Sequence, residues 1–251
     1  MSKILYKEIS PDKLLSDFVK RFWAVSNSSE ENQYCTILPD GYFDIIVTVT
    51  DNKLNNVSLT GIYTTDFEVV IPAKTAFFGV SFLPLATDYI LDQSLSILHN
   101  KHQNLPLHFL GFENANFANF QLWTEELSLQ FISKIIDGKV VDERKQKLFN
   151  LLFQTNGSLT IQEIANQIFW TPRQINRYFN EIFGLSLKTY CNVLKCKQSF
   201  DDIKKGELFP QQNYTDQPHF IREVKKHTGT TPKVLAKNKN DRFIQFSTRP
   251  T

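Results

Sequence analysis

Apolar residues along the chain follow two successive periods. Leu14, Leu15, Phe18, Val19 and Phe22 recur at helical spacing behind Ser10-Pro11, which reads as a helix N-cap followed by proline at the first helical position. After a polar stretch from Ser26 to Gln33 the texture becomes β-branched and aromatic. Tyr34–Leu38, Phe43–Thr50, Val57–Tyr63, Phe67–Ile71 and Phe77–Leu83 are predicted strands. Pro39-Asp40-Gly41 supplies a turn between the first two, because proline presets its own φ and glycine accepts a positive one. Several short strands at this spacing predict a small barrel or a sandwich. From Leu85 the pattern turns helical, with an ill-defined stretch at 99–118 and a helix from about Asn119 to Ile136 that ends at Asp137-Gly138-Lys139.

The remainder reads as helices. Asp142–Phe153 is stopped by Asn156-Gly157. Thr160-x-x-Glu163 is a capping box opening a helix with Ile164, Ala165 and Ile168 on one face. Thr171-Pro172-Arg173-Gln174 is a second box; its helix buries Ile175, Phe179, Ile182 and Phe183 and ends at the C-cap glycine Gly184. The predicted class is α+β. A small β-barrel or sandwich-like domain (1–115) is followed by a helical connector (116–141) and an all-α domain (142–251).

Charge sharpens this division. The net charge of +2 conceals 10 Lys+Arg against 16 Asp+Glu in 1–141, and 18 against 10 in 142–251. A half at −6 joined to a half at +8 suggests that the second half meets a polyanion. The start, MSKILYKEIS, has no signal-peptide core, and no 18-residue apolar run occurs, so a cytoplasmic protein without membrane contact is expected. Cys35, Cys191 and Cys196 make neither a C-x-x-C pair nor an even framework and are expected to be reduced.

The candidate chemistry lies on the polar face of the helix after Thr171. Arg173, Asn176, Arg177 and Asn180, at offsets 0, 3, 4 and 7, form one stripe. Arginine pairs bidentately with guanine edges and asparagine with adenine. A short helix, a tight turn and a second helix bearing that stripe suit a DNA major groove. A solvated helix face is the bland alternative; the two capping boxes and the basic domain weigh against it. Other chemistries are weaker. His99-x-x-His102 with His108 has no further ligand to complete a metal set, and Asp40 with Asp44 is better explained by the turn than by acid/base work. No nucleophile elbow, phosphate loop or dinucleotide fingerprint occurs, so neither enzyme nor cofactor is expected. Phe43, Tyr63, Phe78 and Phe82, with Trp23, Phe67 and Phe77, are candidates for an apolar ligand pocket, or simply for core.

Residues 158–251 resemble the AraC/XylS-type regulator domain, with two helix-turn-helix units joined by a long helix. The likeness rests on Ile164-Ala165, Thr171-x-Arg173-x-Ile175-x-Arg177-x-Phe179 and Gly184-x-Ser186-x-Lys188-x-Tyr190. It continues in Asp216-Gln217-Pro218-His219-Phe220-x-Arg222 and Thr228-Gly229-x-Thr231-Pro232. Tyr6–Pro11, Phe22-Trp23, Leu38–Gly41 and Phe78-Gly79-Val80-x-Phe82-x-Pro84 resemble the amino-terminal domain often fused to it. The resemblance implies a transcription regulator, activation included. Its expected partners are double-stranded DNA, RNA polymerase, an unidentified small-molecule effector and a second copy of the chain. It extends the DNA-contacting set to Lys188, Gln217, His219, Arg222, Lys225 and Lys226, the lysines on phosphates. A ligand-binding protein whose helical domain contacts other proteins is the alternative. The chain departs from the family pattern at Leu187 (usually proline), Lys195 (usually arginine) and Phe169 (often glycine). Only Glu207–Thr215, with Pro210, separates Lys205-Gly206 from Asp216, where the family places a scaffold helix; Asn213 stands for its turn glycine. Leu208, Phe209 and Tyr214 are expected to brace the second recognition helix instead.

Overall fold

A computed structural model describes residues 4–208 and 214–237. Eight strands come first: β1 (Ile4–Ile9), β2 (Val19–Asn27), β3 (Gln33–Ile37), β4 (Phe43–Thr50), β5 (Lys53–Thr60), β6 (Phe67–Ile71), β7 (Thr75–Phe82) and β8 (His102–Leu105). Among the described residues seven α-helices follow: α1 (Phe120–Ile136), α2 (Glu143–Gln154), α3 (Ile161–Ile168), α4 (Pro172–Phe183), α5 (Leu187–Lys204), α6 (Gln217–Thr228) and α7 (Pro232–Ala236). The class is α+β. Six strands form an antiparallel sheet in the order β1-β2-β7-β4-β5-β8, and β3 pairs with β6 in a separate ribbon. The large sheet is open, with β1 and β8 at its edges, so the closed barrel among the expected forms is not found.

The strand periodicity works as expected in β4, where burial alternates from Phe43 to Thr50. β5 begins earlier than the pattern suggests. Asp51 and Asn52 both take positive φ (50° and 60°), the two-residue turn that feeds one right-twisted strand into the next. The helix expected behind Ser10-Pro11 is absent. Asp12, not Ser10, caps a single 3-10 turn (Lys13–Leu15), and the chain then enters β2. The error has a physical cause: a bulge between Val19 and Arg21 puts Val19 and Phe22 on the same buried side, three residues apart, as a helix would. β1 and the polar edge strand β8 were not expected.

The inward face of the large sheet, including Phe43, Ile45, Val47, Phe78, Val80 and Phe82, packs beneath Trp123, Leu127 and Phe131 of α1. Phe82 meets Phe131 at 5.5 Å between ring centroids and Phe78 meets Trp123 at 5.8 Å. The same apolar cluster continues into α2–α5 through Phe149, Phe179, Phe183 and Tyr190. Among the described residues no helix is long and apolar enough to cross a membrane.

Both capping boxes are made. Thr160 N–H donates to Glu163 Oε2 (2.7 Å) and Glu163 N–H to Thr160 Oγ1 (3.2 Å); Thr171 and Gln174 repeat this at 2.8 and 3.2 Å. Between the helices Phe169 occupies the left-handed region (φ 57°, ψ 35°) with its ring 86% exposed. A β-carbon there is strained and the ring buries little. Phe169→Gly is therefore expected to raise stability by about 0.5–1 kcal/mol, read from urea unfolding. A loss would mean that the ring holds the turn.

Candidate nucleic-acid interface

In the first helix-turn-helix unit α3 packs on α4 through the small buried Ala165. α4 buries Ile175, Tyr178, Phe179 and Phe183, while Ile182 is half-buried. On its other side Arg173, Arg177 and Asn180 are exposed, as the spacing requires. Among the described residues Arg177 is paired only loosely, with Glu181 at 3.9 Å, which leaves its guanidinium available. Asn176 is placed differently. Half-buried, it donates from Nδ2 to the Pro172 carbonyl (3.1 Å) and accepts the Leu187 N–H at Oδ1 (3.4 Å). Its amide fastens α4 to the start of α5, and Asn180 donates back to the Asn176 carbonyl (2.8 Å). Lys188 is exposed on the first turn of α5.

In the second unit Asp216 caps α6 by accepting the His219 N–H (2.7 Å), and Phe220 and Val224 point inward. Among the described residues no scaffold helix stands between α5 and α6. Tyr214 packs on Phe220 instead (5.0 Å), and Leu208 is half-buried. Phe209, Pro210 and Asn213 lie outside the described residues. Gln217, Arg222, Lys225 and Lys226 are exposed, but His219 is turned partly inward against Tyr214.

The amino-terminal half grips α4, α5 and α6, which sequence reasoning missed. At α4, Tyr178 donates to Asp88 (2.6 Å), Lys145 pairs with Asp88 (3.1 Å), and Ser94 Oγ and Leu95 N–H donate to the carbonyls of Glu181 (2.6 Å) and Ile182 (2.7 Å). At α6 the buried His227 Nδ1 lies 2.6 Å from the Thr64 carbonyl, and burial pulls the imidazole below its usual range. At α5, Tyr190 donates to the Gly41 carbonyl (2.9 Å). The signals were side chains on otherwise apolar faces, whose distant partners no local pattern discloses.

Of the four aromatic candidates for a ligand pocket, three lie together and Tyr63 lies apart. Phe43, Phe78 and Phe82 belong to the packed core beneath α1, with Phe43 stacked on Phe82 at 5.3 Å, and Tyr63 stacks on Phe67 at 4.0 Å in the loop after β5. His99 ends a 3-10 turn and contacts Thr64 Oγ1 (3.2 Å), whereas His102 starts β8, so the two do not share a helical turn. Asp40 makes the expected turn, accepting the Tyr42 N–H (3.2 Å). Burial and the charge of Asp40 push the Asp44 carboxyl up to about 6. The three cysteines are buried and form no disulfide, and burial raises the Cys191 thiol to about 11, far from a nucleophile's range.

Residues 7–104 match the family described as "Domain of unknown function (DUF6597)". No curated protein matches the chain. Structures of ToxT from Vibrio cholerae are distantly similar. One is 14% identical and covers 95% of this chain and 100% of that one, with a TM-score of 0.40. Another, from strain O395, is 12% identical over 98% and 99%, at 0.42. A third, with an unsaturated fatty acid bound, is 12% identical over 94% and 95%, at 0.41. Through the paired motifs on α3–α6, with the amino-terminal match beside them, the chain resembles the AraC/XylS-type transcription regulators.

Proposed function

We propose that this chain is a sequence-specific DNA-binding transcription regulator, with residues 1–115 as a sensing and dimerising domain, 116–141 as connector and 142–251 as the DNA-binding domain. The observation that carries the reading is the stripe of Arg173, Arg177 and Asn180, exposed on a short helix whose start is held by a capping box. These groups read base edges, while Lys188, Lys225 and Lys226 hold phosphates. Asn176 joins the readout only if its bonds to Pro172 and Leu187 open. α6 is tied to Thr64 at its C-terminal end, so Gln217, His219 and Arg222 contribute a weaker second contact. RNA polymerase and a small effector acting on the first half complete the proposal.

Selection of bound duplexes from a random pool by the full-length chain supplies the test. On the preferred site, Arg177→Ala or Arg173→Ala is expected to cost roughly 1–3 kcal/mol and to relax base preference, and Arg222→Ala less. Lys226→Ala is expected to weaken all sequences alike, and log affinity to fall linearly with log salt. Equal losses on preferred and random DNA from both α4 arginines would reduce the stripe to a phosphate contact; no enriched sequence would remove the function.

A further inference from the structure

Two loops leave the same end of the large sheet side by side. β5 ends at Thr60 and runs into residues 61–66, while residues 94–101 lead into β8 at His102, which faces Thr60 across the ladder. Gly61 N–H donates to the Lys101 carbonyl (2.9 Å) and Asn100 N–H to that of Ile62 (3.2 Å), so the pairing continues past the strand ends. Gly61 lets the two backbones touch: a β-carbon there would fall 2.0 Å from the Leu98 carbonyl oxygen. Ile62, Leu95 and Leu98 are buried and root both loops in the core. One side chain completes the join. Asn100 Oδ1 accepts the Thr64 N–H (2.7 Å), and Asn100 Nδ2 donates to Thr64 Oγ1 (3.1 Å), which also lies 3.2 Å from His99 Nε2. Asn100 takes a positive φ of 55°, which asparagine tolerates.

Each loop holds the C-terminal end of a different recognition helix. Residues 94–101 take α4: Ser94 Oγ and Leu95 N–H donate to the carbonyls of Glu181 and Ile182 in its last turn, which have no donor within the helix, and the Ser96 backbone lies against Gly184. Residues 61–66 take α6: the Thr64 carbonyl receives His227 Nδ1 in its last turn (2.6 Å). The Asp66 carboxylate sits over Gly229, where a β-carbon would fall 2.8 Å from Oδ2. Thr64 therefore bonds to α6 through its carbonyl and to the loop that holds α4 through its N–H and hydroxyl.

We propose that residues 61–66 and 94–101 form one yoke that fixes α4 and α6 relative to each other, with Asn100 and Thr64 as its positioning residues, so that the amino-terminal half sets the spacing at which the two units meet DNA. Along the chain α5 and the turns at its two ends separate α4 from α6. Turns at element ends are where hinge motion is absorbed. A second tie between the far ends of α4 and α6 closes a ring and removes that freedom. The yoke grows from the paired ends of β5 and β8, so a displacement of that sheet edge reaches both recognition helices together.

Rigidity of this kind has a signature at DNA. One added base pair moves the two contacted grooves apart by about 3.4 Å and rotates one against the other by roughly 35°. Two units on a stiff yoke fit one spacing, and two units on a loose one fit several. Hydrogen bonds that merely tidied the loops would change stability and leave the spacing preference alone. The side chain to remove is that of Asn100, since its loss severs the join and leaves the contacts of each loop with its own helix in place.

The consequence at DNA rests on the regulator reading, whereas the yoke itself is measured without DNA. Spin labels are placed on the full-length chain at Arg177→Cys of α4 and Lys225→Cys of α6, both exposed positions, the three native cysteines being buried. Pulsed electron resonance then reads the distance distribution between the two helices. Asn100→Gly keeps the positive φ and removes the amide, and Asn100→Asp keeps the acceptor for the Thr64 N–H. Circular dichroism checks that both fold. The distribution is expected to widen by about twofold or more in Asn100→Gly and to return to its original width in Asn100→Asp. In unlabelled protein, one base pair inserted between the contacted grooves of the selected duplex is expected to weaken the parent by about tenfold or more, and Asn100→Gly by about threefold or less. An unchanged width in Asn100→Gly, no recovery in Asn100→Asp, or equal losses from the insertion in both chains would overturn the proposal. A chain that widens as expected but binds no DNA keeps the yoke and loses the regulator reading. One that binds DNA with an unchanged width keeps the reading and loses the yoke.

Discussion

Gly184→Ala is expected to destabilise the chain by roughly 2–5 kcal/mol, against about 1–2 kcal/mol for Gly206→Ala. Both glycines end a helix with positive φ, 69° and 85°, so both substitutions carry the cost of placing a β-carbon in the left-handed region. They differ in surroundings. A β-carbon at Gly206 meets nothing within 4 Å, whereas one at Gly184 falls 2.1 Å from the Ser96 carbonyl oxygen and 2.9 Å from its carbon. Backbone cannot swing aside as a side chain can. The Ser96 segment is, moreover, held to the end of α4 by the bonds from Ser94 and Leu95 to the Glu181 and Ile182 carbonyls. The variant must either strain α4 or part it from the amino-terminal half. Urea unfolding of the two variants measures the difference, which isolates the contact between the halves. Equal losses would show that α4 does not rest on Ser96 in solution.

Asp44→Asn is expected to stabilise the chain at pH 7–8 and to do nothing near pH 3.5. The Asp44 carboxyl is raised from 3.8 to about 6 in the folded protein. Between those values the folded state keeps a proton that the unfolded state has released, so stability falls as pH rises through the window. The full penalty is present above the folded value and absent below the unfolded one. A rise of that size corresponds to about 3 kcal/mol; partial contact with solvent reduces this to on the order of 2 kcal/mol. The asparagine keeps a carbonyl oxygen for Ser81 and Trp23 while losing the charge. Thermal unfolding across pH 3.5–8 should show a gain of roughly 4–8 °C at neutral pH, shrinking to zero in acid. A neutral-pH loss would mean that Arg21 holds the ionised form favourably.

Much of the helical half was legible because its signals are local. Thr160 with Glu163, Thr171 with Gln174, Asp216 and Gly184 satisfy backbone groups within one turn of themselves, so three or four letters suffice to place a helix end. The strand alternation of Phe43–Thr50 was equally readable, but alternation only sorts residues into two faces. Which face an open sheet covers depends on α1, far away in sequence. Of the aromatic residues open to either a pocket or core, Phe43, Phe78 and Phe82 lie beneath that helix, and Asp44, next to Phe43 in sequence, lies on the other side. The bulge at Val19–Arg21 misled for a related reason, since one inserted residue turns a strand's spacing of two into a helix-like three.

The sequence by itself determined the class of each element after residue 119, the helix caps, the exposed arginines of α4 and the acidic-to-basic division of the chain. These follow from backbone hydrogen bonds closed within a turn and from composition, neither of which depends on what packs nearby. Only the tertiary structure decided that Asn176 spends its amide on α5, that Tyr178, Tyr190 and His227 bind α4, α5 and α6 to the first half, and that Glu8, Arg21 and Asp44 share one face of the sheet with Asp40 beside Arg21. Each of these joins groups separated by 11 to more than 160 positions, or strands brought together by the order β1-β2-β7-β4. The free energy of such pairs depends on a closure that whole-chain packing supplies, so no window of the sequence carries it.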